Sequence, residues 1–340
     1  KKYQKERERQ ARREEKEAAA PCGTTDGYRI AVLGNISGLN EAIETVLKGG
    51  GEVGLLRSEF LFQHAENAPS EEEQAAAYGT IARALGPERK LVVRTLDIGG
   101  DKPLAYLPLP KEQNPFLGVR GIRLNRLDPA FFTVQVRSIL QAARLAHLHI
   151  LLPMVATVDE LLEAKAIIRS EEKALDMAGA VSVGIMVEVP SAALLAENLA
   201  AEVDFFSIGT NDLAQFTLAV DRGHTRLAHM ADALHPAVLR LVAETVKGAR
   251  KLDKKVCICG NLAADPVAVP VLVGLGVQEL SVSPRVIPAV KSIIRKLDRK
   301  LCSVLAEDAL AMLTADEVRR YVGLFQDEHS EDCAGSREIS

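Results

Sequence analysis

The chain has no tryptophan, and aromatic residues make up only 4% of its 340 positions. A core must therefore be built from Leu, Val, Ile and Ala. No apolar run reaches the roughly 18 residues of a membrane helix, and the basic N-terminus leads into no signal-peptide core. This excludes membrane insertion by a spanning helix. Neither charge sign dominates. A net charge of −4 gives no general basic surface for nucleic acid, so any anion site must come from a few placed cations. Cysteine is scarce and odd in number: Cys22, Cys257, Cys259, Cys302 and Cys333. A scattered set of this kind is not a disulfide framework, and the expected setting is a reducing cytoplasm.

Against these absences stands a rhythm. Residues 1–20 are charged on all faces, which suits a linker helix between domains or a solvated arm. Pro21 to Gly27 then interrupts helix. From Tyr28, short β-branched runs alternate with longer amphipathic stretches. The runs are YRIAVLG (28–34), EVGLLR (52–57), KLVVRT (90–95), HILLPM (149–154), SVGIMVE (182–188), DFFSIG (204–209), KVCICG (255–260) and ELSVS (279–283). Most are apolar throughout, as parallel strands covered on both faces are. Eight strand–helix alternations favour an α/β fold of the closed (β/α)8 TIM-barrel type, with a doubly wound open sheet as the structural alternative. The expected organisation is a charged linker helix and connection over 1–27, a barrel over 28–322 ending in extra C-terminal helices, and a disordered polar tail over 323–340.

The polar residues that interrupt the apolar runs fall at the C-terminal ends of strands, where barrels place their chemistry. They are Arg57, Arg94, Glu188, Asn211 with Asp212, and Cys259; Arg120 and Arg222 follow strands in loops or helix starts. Arginine offers paired planar donors that match phosphate and carboxylate. Glu188 and Asp212, on consecutive strands, can converge on one hard cation such as Mg²⁺. The bland alternative is that the two carboxylates merely pair with the arginines. Cys257 and Cys259 share a side of their strand, but a Zn site would need a second pair of soft ligands at matching spacing, and none is present. His64, His224, His229 and His235 read as polar surface or local hydrogen-bonding residues.

The segments GLLRSEFLF (54–62), RTLDIGGDKPL (94–104), NPFLGVRGIR (114–123), LLPMVATVDE (151–160), GIMVEVPSAAL (184–194), DFFSIGTNDLAQFTLAVDRG (204–223) and CGNLAADP (259–266) resemble, in order and spacing, the C-terminal domain of phosphotransferase-system Enzyme I. The resemblance implies that Arg57, Arg94, Arg120 and Arg222 clasp the phosphate and carboxylate of phosphoenolpyruvate, with Asn211 adding a polar contact and Lys102 a weaker candidate near the phosphate. It implies that Glu188 and Asp212 hold Mg²⁺, and that Cys259 is the acid that protonates the departing enolate. A thiol with a reference pKa of about 8.5 is mostly protonated at neutral pH, although four nearby arginines could favour thiolate.

The same resemblance implies a phosphoryl acceptor histidine on an upstream swivelling domain, whose Thr-Ser-His-type segment is absent here. It further implies a histidine-containing phosphocarrier protein as partner, pyruvate as product, a role in sugar uptake and a homodimer, either as conventional Enzyme I or within a multiphosphoryl transfer fusion. Two positions depart from the pattern. Asn261 stands where many relatives have Glu, and Val119 where many have Trp. The alternatives are the barrel of pyruvate phosphate dikinase or phosphoenolpyruvate synthase, and a non-catalytic phosphoenolpyruvate-sensing dimerisation module.

Overall fold

A computed structural model describes residues 9, 13–63, 65–99, 104, 106, 107, 109 and 111–335. Eight strands close into one parallel barrel in sequence order. They are β1 (Ala31–Ile36), β2 (Val53–Arg57), β3 (Lys90–Arg94), β4 (His147–Leu152), β5 (Ser182–Val187), β6 (Phe205–Ile208), β7 (Lys255–Ile258) and β8 (Glu279–Val282). The ring closes where β1 pairs with β8, from Ala31↔Glu279 to Gly34↔Val282. All eight expected runs are strands. β1 continues past the expected boundary at 34 to Ile36 because Asn35 and Ile36 still pair with Leu55 and Leu56, after a register shift at Gly34/Asn35.

Two apolar layers hold the barrel. Inside it pack Leu55, Val92, Leu151, Met186 and Cys259. Outside, the other faces of the strands, such as Val53, Leu91, Val93, Ile150 and Ile258, meet the ring of helices. Burial on both faces is why the strands read as continuous rather than alternating runs. Entry to the helices is capped by side chains: Thr157 accepts from Glu160 N while the Glu160 carboxylate returns to the Thr157 amide, a reciprocal arrangement that satisfies donors the helix leaves unpaired. The floor of the barrel is polar. Lys90 Nζ lies 2.8 Å from Glu279 Oε2, and burial together with Lys90 holds the nearby His149 down to about 4.

The arm before the barrel is docked at its end. Lys291 Nζ donates to Ala18 O at 2.7 Å and to Gly49 O at 2.6 Å, and Arg295 Nη2 donates to Glu17 O at 2.9 Å. After the barrel come the helices Ile287–Ile294, Arg299–Ala311 and Ala315–Gly335. The last of these runs on beyond residue 323, where composition reads as an unstructured tail. The described part of the segment contains no proline, and its glycine Gly323 lies within the helix, a small cost to a helix already nucleated and packed through Val318 and Val322. Among the described residues no helix is long and apolar enough to cross a membrane.

Candidate functional site

At the C-terminal mouth of the barrel a cavity of about 360 Å³ is lined by Arg57, Arg94, Glu188, Asn211, Asp212, Arg222 and Cys259, among others. Arg57 ends β2 and Arg94 ends β3. Glu188 follows β5 directly, and Cys259 follows β7. Asn211 and Asp212 are not on a strand, as expected from sequence; they occupy the first turn of the helix Thr210–Leu218. The chain turns into this helix immediately after β6, so both side chains are still delivered to the mouth.

Two of the expected residues are placed differently. Arg120 does not line the cavity. It is 2% exposed, with Nε and Nη2 donating to the two carboxylate oxygens of Asp97 at 3.0 and 3.1 Å and Nη1 to Asp212 Oδ1 at 3.1 Å. These carboxylates separate it from the opening. Lys102 lies outside the described residues.

Sequence reasoning missed two acids that organise the arginines. Arg94 Nη2 donates to Glu59 Oε1, and Arg94 Nη1 lies 3.1 Å from Asp97 Oδ2. Asp97 therefore bridges Arg94 and Arg120. The signal was present in the motifs, since Glu59 follows Arg57 by two residues and Asp97 follows Arg94 by three, both beyond strand ends. Gly99 makes the bridge possible. It has φ +111°, and a Cβ there would stand 2.2 Å from Val119 O, so only glycine lets the 95–99 segment lie against Arg120. Gly260 is constrained likewise, since a Cβ would meet Thr210 Oγ1 at 2.1 Å.

The electrostatics decide between competing expectations. Asp212 pairs with Arg120 and, at 3.4 Å, with Arg222; for this residue the bland reading of simple pairing holds in the ligand-free state. Glu188 does not follow it. It is 1% exposed, accepts a hydrogen bond from Met154 N at 2.7 Å and has no ion pair within 4 Å among the described residues. Burial, then Asp212 and Asp97, push its carboxyl up to about 8, against the pull of Arg94 and Arg120. For Cys259 burial likewise outweighs the arginines: the thiol is pushed up to about 11, although Arg94 and Arg57 act to lower it. It is therefore protonated at neutral pH, with Sγ 3.5 Å from Ile208 O. Asn35 Nδ2 donates to Cys259 O at 2.8 Å and fixes the backbone there.

The set can hold an anion and a cation together. Arg94 Nε is buried without a partner, and Arg57 makes no ion pair among the described residues. Yet Glu59, Asp97, Glu188 and Asp212 match the guanidiniums of Arg57, Arg94, Arg120 and Arg222 one for one once Glu188, held up to about 8, ionises. A ligand with a phosphate (about −1.5 to −2) and a carboxylate would bring excess negative charge. Among the described residues no cluster of three or more His, Cys, Asp or Glu could hold a metal, so a cation here would take two carboxylates and complete its shell with ligand oxygens and water. That is the habit of Mg²⁺, and the uncompensated Glu188 fits it.

The histidines behave as local ligands of backbone. His224 Nδ1 accepts from Arg226 N and Leu227 N at 3.2 Å, and His235 Nδ1 accepts from Ala237 N at 3.1 Å. His229 lines a second cavity beside the first, and His64 lies outside the described residues. At the two departures, Val119 packs on the apolar cluster around Leu96 and Ile98 while its amide donates to Glu112 Oε1 at 3.0 Å. The Asn261 amide donates to Asn211 Oδ1 at 3.0 Å.

A model of the family described as "PEP-utilising enzyme, PEP-binding domain" matches residues 11–299. The multiphosphoryl transfer protein of Xanthomonas campestris is 49% identical over 316 residues, which cover 92% of this chain and 37% of that protein. Its namesake in Rhodobacter capsulatus is 48% identical over 307 residues, 90% of this chain and 37% of that one. The phosphoenolpyruvate-protein phosphotransferase of Bacillus subtilis is 44% identical over 308 residues, 89% of this chain and 54% of that one. The chain thus spans between 37% and 54% of the length of these curated relatives.

Proposed function

This chain belongs to the PEP-utilising enzymes, as their PEP-binding domain, and from that premise we propose that it binds phosphoenolpyruvate with Mg²⁺ and supports phosphoryl transfer to a histidine that lies outside this chain, releasing pyruvate. The observation that carries the reading is the juxtaposition, in one cavity, of Arg57, Arg94 and Arg222 with Glu188, Asp212 and the protonated Cys259. The names of the relatives add the acceptor: a phosphotransferase acting on protein, as conventional Enzyme I or as part of a multiphosphoryl transfer protein. Single-barrel organisation over 28–322, a histidine-containing phosphocarrier protein as the next acceptor, a role in sugar uptake, a cytoplasmic setting and a homodimer, checked by sedimentation over a concentration series, belong to the same proposal.

In this scheme Arg57, Arg94 and Arg222 clasp the phosphate and carboxylate, and Asn211, whose side-chain oxygen accepts from Asn261 N, offers its side-chain NH2 at the rim. Glu188 and Asp212 would hold Mg²⁺, which would supply positive charge to offset that of the transferring phosphoryl group. Arg120 would reach the ligand only if Asp212, which now pairs with it, were drawn to the cation, and Lys102 remains the weaker contact near the phosphate. The acceptor nitrogen attacks phosphorus, and the bond from phosphorus to the enol oxygen breaks with its electron pair left on oxygen. The arginines offset that charge without reorganising. Cys259 then delivers its proton to the methylene carbon, giving pyruvate, and the thiolate recovers a proton from water. Titration calorimetry of the chain with phosphoenolpyruvate, in Mg²⁺ and in EDTA, tests the metal role. Affinity should rise with Mg²⁺, and Glu188→Gln and Asp212→Asn should each lose most of the rise. Equal affinity in both buffers refutes it.

A further inference from the structure

The last helix, Ala315–Gly335, is not part of the barrel, yet it reaches the wall of the second cavity. That cavity, of about 480 Å³, shares Asn211, Arg222 and Asn261 with the first and is also lined by Arg319. Arg319 Nε and Nη2 each donate at 2.9 Å to one oxygen of Asp232, and Nη1 donates at 3.0 Å to Asp265 Oδ2. The guanidinium thus spans two loops. One loop, residues 219–235, carries Arg222. The other, after β7, carries Cys259 and Asn261.

Both carboxylates are built into their own loops. Asp232 Oδ1 also accepts from Leu234 N at 2.9 Å, and Asp265 Oδ1 accepts from Val267 N at 2.9 Å. A force on either carboxylate therefore reaches the backbone. The same helix holds the second loop again through Gln326 Nε2, which donates to Pro266 O at 2.9 Å. The first loop needs an outer tether. It leaves the helix Thr210–Leu218 through Ala219 in the left-handed region at φ 52°, and residues 223–230 are exposed throughout. At its inner end Arg222 is held by its amide, which donates to Gln215 Oε1 at 3.0 Å, and by the 3.4 Å contact with Asp212.

We propose that Arg319 is a positioning residue of the site: a strut that, through Asp232 and Asp265, holds the loops bearing Arg222 and Asn261 in their ligand-binding arrangement. The proposal rests on the reading that the cavity binds phosphoenolpyruvate. Without the strut, ordering of the exposed 219–235 loop is deferred to the moment of binding and weakens it. Cys259 is held independently, by Asn35 and by its amide, which donates to Ile208 O at 3.0 Å. Proton delivery to bound ligand should therefore persist.

The test uses the full-length protein that carries this chain, with phosphoenolpyruvate, Mg²⁺ and its protein acceptor. Arg319→Met should raise KM for phosphoenolpyruvate about tenfold, the effect of losing about 1.4 kcal/mol of preordering, and leave kcat within about threefold. Arg319→Lys, which has no fork to span two carboxylates, should recover only part of the loss. If Arg319→Met does not fold, Asp232→Asn keeps an oxygen for Leu234 while losing the charge, and it should show the same split. An unchanged KM, or a kcat that falls as far as KM rises, overturns the strut. Failure of the wild-type protein to bind phosphoenolpyruvate overturns the functional reading as well, whereas wild-type binding with no KM change in the variant overturns the strut alone.

Discussion

Arg94 and Arg222 line the same cavity, but their removal should have unequal consequences. The Arg94 side chain is 8% exposed, and its partners Glu59 and Asp97 are 6% and 1% exposed. Asp97 keeps Arg120 when Arg94 is lost. Glu59 keeps no ion pair among the described residues. Breaking a buried pair by removing one member costs about 3–5 kcal/mol, because the other charge stays buried and uncompensated. At about 2 °C per kcal/mol for a chain of this size, Arg94→Ala should lower Tm by roughly 6–10 °C. The Arg222 side chain is 33% exposed with a single 3.4 Å ion pair, a geometry worth about 0–1 kcal/mol, so Arg222→Ala should leave Tm within about 2 °C. Each variant removes one charged donor from the ligand, worth about 1.5–3 kcal/mol, so phosphoenolpyruvate affinity should fall about 10- to 150-fold in both. Adding Glu59→Gln to Arg94→Ala discharges the stranded carboxylate and should restore most of the stability but none of the affinity. Differential scanning calorimetry and titration calorimetry on the same samples separate the two effects. Arg94→Ala melting at the wild-type temperature, or a double variant no more stable than the single, would refute the assignment of Arg94 to both roles.

Three further outcomes concern Cys259 and His149. Since Cys259 is pushed up to about 11, its thiolate fraction at pH 7.5 is roughly 0.03%, and iodoacetamide should label it very slowly at neutral pH and faster as pH rises towards 11. Rapid labelling at pH 7 would mean that the arginines win. Cys259→Ala should bind phosphoenolpyruvate nearly normally yet release pyruvate far more slowly in the full-length protein, because proton donation is needed only after the enolate forms; wild-type turnover would reassign it as a packed thiol. His149, at about 4 in the folded protein against about 6.5 unfolded, is neutral and half-buried in the native state, so its contribution is complete above pH 6.5 and is lost as pH falls from 6.5 to 4. Urea unfolding of wild type and His149→Gln at pH 7 and pH 4.5 should show the wild type losing up to about 3 kcal/mol more; identical acid limbs would exclude His149 as the cause.

The barrel was legible in the amino-acid order because its determinants are local. Each strand is a short apolar run, each run is followed by an amphipathic stretch, and the number eight comes from counting them. The residue types of the site were legible for the same reason, since a charged residue at the end of an apolar strand has few places to go except the mouth. What only the tertiary structure decided is how these charges share one low-dielectric space. Asp97 and Arg120 lie 23 residues apart, and Arg120 and Asp212 lie 92 apart; no spacing rule joins them, yet their contact hides Arg120 behind the cavity wall and leaves Glu188 without a cation. The competition between burial and the arginines Arg94 and Arg57 over the Cys259 proton could not be settled from composition, because each contribution depends on distance and on exclusion of water. The hold of Arg319 on Asp232 and Asp265, 87 and 54 residues away, exists only because a helix outside the barrel packs against the loops that carry them. Local pattern selects elements, whereas charge interactions depend on three-dimensional separation, which the order of residues specifies only through the completed fold.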